Sequence, residues 1–257
     1  MTGAAAFFDL DRTLISGASA FPFGVAAWRQ GLAKNSELAS WITDAIRFRL
    51  LGDKGESFED VRVDLLMRIA GIPVESLKAL EAAVTPNLVS RVRPESRSLV
   101  SMHHEQDRDT WIVSASPQAL VEPLAASLGM SGAIGTRGEI VDGHYTGRLD
   151  GPFVYGPGKA AAVEKLASDR GYELDLCYAY SDSISDLPLM ELVGHPVAVN
   201  PDSQLAAVAR HRGWPIVIFA QKTKRALAMG GVATGVLATA AFAYALGRRH
   251  GRAAANR

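Results

Sequence analysis

Apolar residues change their rhythm twice along the chain. A short apolar run at residues 4–8 (AAAFF) breaks off at Asp9, which predicts a first strand. Over residues 16–92, segments such as FGVAAWRQGL, LASWITDAIRFRL and FEDVRVDLLMRIAGI carry apolar positions three and four apart, the spacing of amphipathic helices. Breaks fall near residues 34–35, 52–55 and 71–73, where Gly, Asn and Pro interrupt the pattern. So long a helical stretch exceeds one crossover and reads as an insertion.

From Pro94 onward short strands alternate with helices. A helix leads into a strand at 110–113 that ends at Ser114, and another helix follows near 118–128. The segment AIGTRGEIVDGHYTGRL has the turn residues and alternation of a hairpin. A helix begins near Gly158 and Lys159, and the strand LCYAY stops just before Ser181 and Asp182. Then come strand HPVAV, helix SQLAAVARH and strand PIVIF. Strands separated by helices predict an α/β fold with a Rossmann-like parallel sheet covered on both faces. Asp9, Ser114 and Asp182 each fall at the carboxyl end of a predicted strand, the edge where open α/β sheets bind ligands.

Composition narrows the picture only slightly. Lys+Arg and Asp+Glu are both 27, so charge gives no sign of a nucleic-acid partner. The lone Cys177 cannot build an internal disulfide framework, which suits a reducing compartment. The N-terminus lacks the basic and apolar regions of a secretory signal. Residues 226–246 carry no charge and are flanked by Lys222, Lys224 and Arg225 on one side and Arg248, Arg249 and Arg252 on the other. A run of about 20 apolar residues can span a bilayer, so a membrane anchor with the globular part in the cytoplasm is expected. Gly231 and Gly235 would suit helix association in lipid, although the oligomeric state stays open. The alternative is an Ala-rich helix packed on the domain or lying at an interface.

The segment FFDLDRTLIS is the strongest chemical signal. It delivers Asp9 and Asp11 at spacing two, followed by Thr13. One carboxylate can attack phosphorus to form an acyl-phosphate, while the other protonates the leaving alkoxide and later deprotonates water. Taken alone, the motif also reads as a strand-to-turn transition capped by Asp11 or Thr13. Ser114 precedes a helix whose amides could hold phosphoryl oxygens, or it is simply a cap. Lys159, after a Gly-rich turn, could neutralise phosphoryl charge, or be a solvated lysine. Asp182 and Asp186 lie four apart in YAYSDSISDLPLM, and with Asp9 they form an oxygen-rich set of the kind Mg²⁺ prefers.

In this order, DLDRT, Ser114, Lys159 and SDSISD resemble the four motifs of the haloacid dehalogenase superfamily, over roughly residues 4–220. The helical insertion is similar to that superfamily's C1 cap. The IVSASP segment and the hairpin resemble its subfamily IB, the phosphoserine-phosphatase-like hydrolases. The resemblance implies a core at residues 1–15 and 93–221 and a cap at 16–92, with the basic-flanked hydrophobic tail read above occupying 222–257. It also implies that Asp9 is the nucleophile, Asp11 the general acid/base, and Ser114 and Lys159 the phosphoryl-binding pair. Mg²⁺ would be held by Asp9, Asp182 and the main-chain carbonyl of Asp11, with Thr13 and Asp186 in support. The substrate would be a small phosphorylated metabolite or a lipid head group. Phosphoserine phosphatases usually read G-D-G-x-x-D where this chain has SDSISD, and they place an acid near the substrate amine where this chain has LISGASA. Two other outcomes are a phosphotransferase of the same fold and a non-catalytic membrane-tethered module that binds a phosphorylated ligand.

Other features carry less. His103 and His104 are expected on a solvated helix surface, Arg47 and Arg49 facing solvent, and Trp28 and Trp41 inside the insertion's core.

Overall fold

The computed structural model of the 257-residue chain describes residues 3–29, 31 and 70–219. The expectations for Trp41, Arg47, Arg49, the middle of the insertion and residues 222–257 lie outside the described residues. Among the described residues no helix is long and apolar enough to cross a membrane. The chain divides into two compact units, Met1–Ile218 and Phe219–Arg257. Every strand and helix named below belongs to the first unit.

Strand β1 (Ala5–Phe8) is the four-residue run AAFF, buried throughout. It is flanked by β2 (Asp109–Pro117) and β6 (Tyr178–Ser181), with β3 (Gly132–Thr136) outside β2. Beyond β6 lie β7 (His195–Val199) and the short β8 (Ile216–Val217). The sheet order is β3-β2-β1-β6-β7-β8, and every neighbouring pair is parallel. Parallel strands buried on both faces read as unbroken apolar runs, which is why AAAFF signalled a strand without alternation.

Alternate residues of β1 enter different layers. Phe7 packs with Val113, Val163, Leu189 and Leu205, placing helices α5 (Pro157–Arg170), α6 (Leu187–Leu192) and α7 (Ser203–Arg212) over that face. Phe8 points the other way and stacks on Tyr180 with ring centroids 4.6 Å apart. Each fully buried Phe contributes about 1.5–3 kcal/mol, so the residue preceding Asp9 is firmly fixed.

The insertion leaves and re-enters the sheet domain at one place. Ile15 bridges Val92 in antiparallel fashion, Ser16 N–H donates to the Arg91 carbonyl, and Arg93 N–H donates to the Leu14 carbonyl. Its described helices are α1 (Ala20–Arg29) and α2 (Val74–Arg91). A hairpin of β4 (Gly138–Val141) and β5 (His144–Leu149) lends Tyr145 to the apolar cluster formed by Ala27, Leu77 and Leu80. Trp28 is 41% exposed rather than core.

Two further expectations need correcting. Strand β2 does not stop at Ser114 but runs on to Pro117, and α4 (Gln118–Ser127) starts four residues after that serine. The cause is continued pairing with β3, which resumes at Pro117–Thr136 after a register shift. Ser114 is therefore no helix cap.

His103 is fully buried, not solvated. It lies near the end of α3 (Pro94–His104), edge-on to Phe8 and Tyr180. Arg108 Nε donates to its Nδ1 at 2.8 Å, so Nε2 carries the proton and donates to Tyr180 Oη at 2.8 Å. Burial, helped by the Arg108 charge, pushes this imidazole down to about 4 from its ordinary 6.5. The folded state thus prefers the neutral ring. The stability it contributes is full above pH 6.5 and is lost as pH falls toward 4. His103→Ala should cost about 2–4 kcal/mol at pH 7 in denaturant titrations, since it opens a cavity and strands Tyr180 Oη. It should also flatten the loss of stability between those two pH values.

Candidate active site

The site is assembled at the carboxyl edge of the three central strands. Phe8 is in register with Ile112 on one side and Tyr180 on the other, so Asp9 follows level with Val113 and Ser181, and Ser114 and Asp182 each come one residue further along their own segments. Asp9 N–H donates to the Tyr180 carbonyl at 2.9 Å, extending the ladder one residue beyond the strand.

After Asp9 the chain turns sharply. Leu14 N–H reaches back to the Asp9 carbonyl and Ile15 N–H to the Leu10 carbonyl, closing a wide turn over Leu10–Leu14. Arg12 sits within it at φ 61°, a left-handed conformation unusual for a long side chain. Arg12 N–H donates to the Gly17 carbonyl, which curls the loop so that Ser19 N–H meets Asp11 Oδ1 at 2.8 Å.

Lys159 comes from the first turn of α5. Gly156 adopts φ 51°, ψ −123°, and Gly158 lies so close to the Phe153 carbonyl that a Cβ would stand 1.9 Å from its oxygen. Only glycine permits both features, and together they aim the first turn of α5 into the site. Lys159 is buried rather than solvated, with Nζ 2.5 Å from Asp9 Oδ1 and 2.8 Å from Asp186 Oδ2. Asp186 Oδ2 also accepts from Ser181 Oγ at 2.6 Å, while its Oδ1 is buried without a hydrogen-bond partner.

Asp182 completes the cluster. Thr13 Oγ1 donates to its Oδ1 over a long 3.4 Å. Arg12 Nε stands 2.8 Å from Oδ2 as an ion pair, but without the alignment of a hydrogen bond, so that buried oxygen has no donor. Ser114 joins through a relay: its Oγ accepts Ser116 N–H at 3.1 Å, Ser116 Oγ lies 2.9 Å from Ser19 Oγ, and Ser19 holds Asp11.

Electrostatics follow from crowding carboxylates in a dry site. Burial pushes Asp9 up to about 7, against the pull of Lys159. Burial also raises Asp11, countered mainly by its bond from Ser19, and raises Asp182, with the Asp9 charge adding to the effect. Lys159 is held strongly protonated: burial opposes its charge, but Asp186 and Asp9 more than offset that. Among the described residues no three His, Cys, Asp or Glu side chains gather as a metal cluster. The neighbouring carboxylates of Asp9 and Asp182, the second raised in proton affinity by the first and carrying a donor-less oxygen, fit a small hard cation such as Mg²⁺.

Comparison with known proteins then places the chain. The family model of haloacid dehalogenase-like hydrolases matches residues 6–191. The chain belongs to that family. It is 40% identical over 249 residues to a phosphoserine phosphatase of Mycobacterium tuberculosis, covering 93% of this chain and 80% of that protein. It is 32% identical over 222 residues to a histidinol-phosphatase of Neisseria meningitidis, covering 83% and 98%. Among solved structures, a protein of unknown function from Bordetella pertussis superposes with a TM-score of 0.72 at 27% identity, covering 84% of this chain and 99% of that one. The chain is thus a phosphatase of the haloacid dehalogenase type.

All seven residues singled out from sequence lie in or beside this cluster. Sequence reasoning missed Arg12, Ser19, Ser116 and Ser181. Arg12 and Ser181 stand inside DLDRT and SDSISD, but Ser19 and Ser116 meet only because of the loop's curl. Gly158→Ala should disturb the approach of Lys159 to Asp9, lowering the melting temperature and cutting phosphate release at least tenfold, about 1.4 kcal/mol in the barrier. Thermal unfolding and steady-state kinetics on the same preparation check both.

Proposed function

We propose that the chain hydrolyses a phosphomonoester through an aspartyl-phosphate on Asp9. The observation that carries this reading is the convergence of Asp9, Lys159 and Asp186 beside Asp182 and Asp11 at one sheet edge. An Asp9 carboxylate oxygen attacks phosphorus, and the bond to the alcohol oxygen breaks. Asp11, whose proton affinity is raised by burial, gives its proton to the departing alkoxide. Water then attacks phosphorus and loses a proton to Asp11, the bond to Asp9 breaks, and inorganic phosphate leaves. Lys159 and the Ser114 hydroxyl bind the phosphoryl oxygens, so that charge developing there meets a fixed ammonium. Asp9, Asp182 and the Asp11 main-chain carbonyl would hold Mg²⁺, whose charge screens the anionic nucleophile from the anionic phosphate. In this reading residues 1–15 and 93–221 form the core, residues 16–92 the cap that covers the site, and residues 222–257 the tail.

The substrate class is a small phosphorylated metabolite. The names of the two relatives, phosphoserine phosphatase and histidinol-phosphatase, put phosphate esters of amino alcohols first, with lipid head groups next if the tail anchors the chain. Transfer to an alcohol instead of water would use the same residues.

A panel of phosphoserine, histidinol phosphate, sugar phosphates and lysophosphatidic acid, assayed with Mg²⁺, tests the reading. Phosphate release from at least one member, abolished by Asp9→Asn and by excess chelator, is expected; release that survives either treatment contradicts it. Removing residues 222–257 should move the protein from the membrane fraction to the supernatant, and unchanged fractionation refutes the anchor.

A further inference from the structure

The proposed mechanism uses Lys159 and Asp186 but not the hydroxyl beside them. We propose that Ser181 is a positioning residue, whose hydroxyl orients Asp186 and through it Lys159. The inference rests on the proposed phosphatase mechanism for its consequence in turnover, though not for the geometry it invokes.

Ser181 ends β6, pairs in register with Ala198 of β7 and is fully buried, so its Cα and Cβ are fixed by the sheet. Its Oγ accepts Ser183 N–H at 3.2 Å and donates to Asp186 Oδ2 at 2.6 Å. Because the Ser183 amide approaches the oxygen's lone pairs, the single hydroxyl proton is committed to Asp186. That same Oδ2 takes the bond from Lys159 Nζ, while Oδ1 has no hydrogen-bond partner. Asp186 is thus gripped through one oxygen by two donors. One donor is rigid, on the strand; the other, Lys159, is the group that must be placed.

Without the hydroxyl, Asp186 would be held by Lys159 alone and could rotate to relieve its unsatisfied Oδ1. Lys159 would then lose the fixed counter-charge that sets its distance from Asp9. The serine is also where this chain departs from the G-D-G-x-x-D pattern of phosphoserine phosphatases. The first substitution in SDSISD therefore adds a hydrogen bond as well as removing a flexible residue.

The test uses the full chain and two readouts. In Ser181→Ala, kcat on the best panel substrate should fall about tenfold, in keeping with loss of a bond to a charged group, with a smaller change in KM. The ¹⁵Nζ resonance of Lys159, assigned by its absence in Lys159→Met, should shift or broaden in the same variant. Ser181→Thr, which keeps the hydroxyl, should restore both. If Ser181→Ala does not fold, Ser181→Gly carries the same measurements. Unchanged kcat in the folded variant overturns the proposal, and so does a lowered kcat with an unmoved Lys159 resonance. The resonance is read without substrate, so it tests the geometry even where no phosphomonoester is hydrolysed. Absence of turnover in the wild type would count against the phosphatase mechanism alone.

Discussion

A single buried ammonium holds the site together. Lys159 lies in a space from which water is nearly excluded, and an unpaired charge there would cost several kcal/mol. Asp9 and Asp186 supply the counter-charge at 2.5 and 2.8 Å. The dependence is mutual: without the lysine, Asp9 would lose the charge that opposes the effect of its own burial. Burial already pushes Asp9 up to about 7 with Lys159 in place. Much of the local structure can be understood as the means of bringing these groups together from segments 150 residues apart.

Each means is ordinary. A four-residue apolar strand fixes Asp9, parallel pairing on both sides sets it within one residue of the level of Ser114 and Asp182, and two glycines let α5 approach closely. The paired segments at Ile15 and Val92 bring the insertion out and back beside the cluster. This lets the Asp9–Ser19 loop carry Asp9, Asp11 and the first residues of the insertion within one tight curl. Ser19 therefore touches both sides of the site, holding Asp11 through its amide and Ser116 through its hydroxyl.

The fold was readable wherever a segment's own pattern decides its state. HPVAV and the start of α3 at Pro94 fell at their expected places. Pairing that depends on a distant partner was not readable: β2 continues past Ser114 because β3 lies beside it. His103 was misjudged for a related reason. Adjacent histidines do diverge on a helix, but one of them faces the sheet, where Tyr180 and Arg108 supply partners that no local pattern announces. At the site, acids and lysine were found from their order along the chain. The serines that orient them were not, because hydroxyl hydrogen bonds depend on loop shape. Family membership fixes the class of chemistry, and the physical arrangement explains how these residues can carry it out.

The central claim is that phosphorus passes through a covalent bond to Asp9. Acid-quenching the protein during turnover of its best substrate, then locating the phosphoryl group by mass spectrometry, tests it most directly. The expected result is a hydroxylamine-labile phosphoryl group on the peptide that carries Asp9, absent in Asp9→Asn. Rapid turnover with the label on another residue, or with Asp9 unlabelled and dispensable, would contradict it.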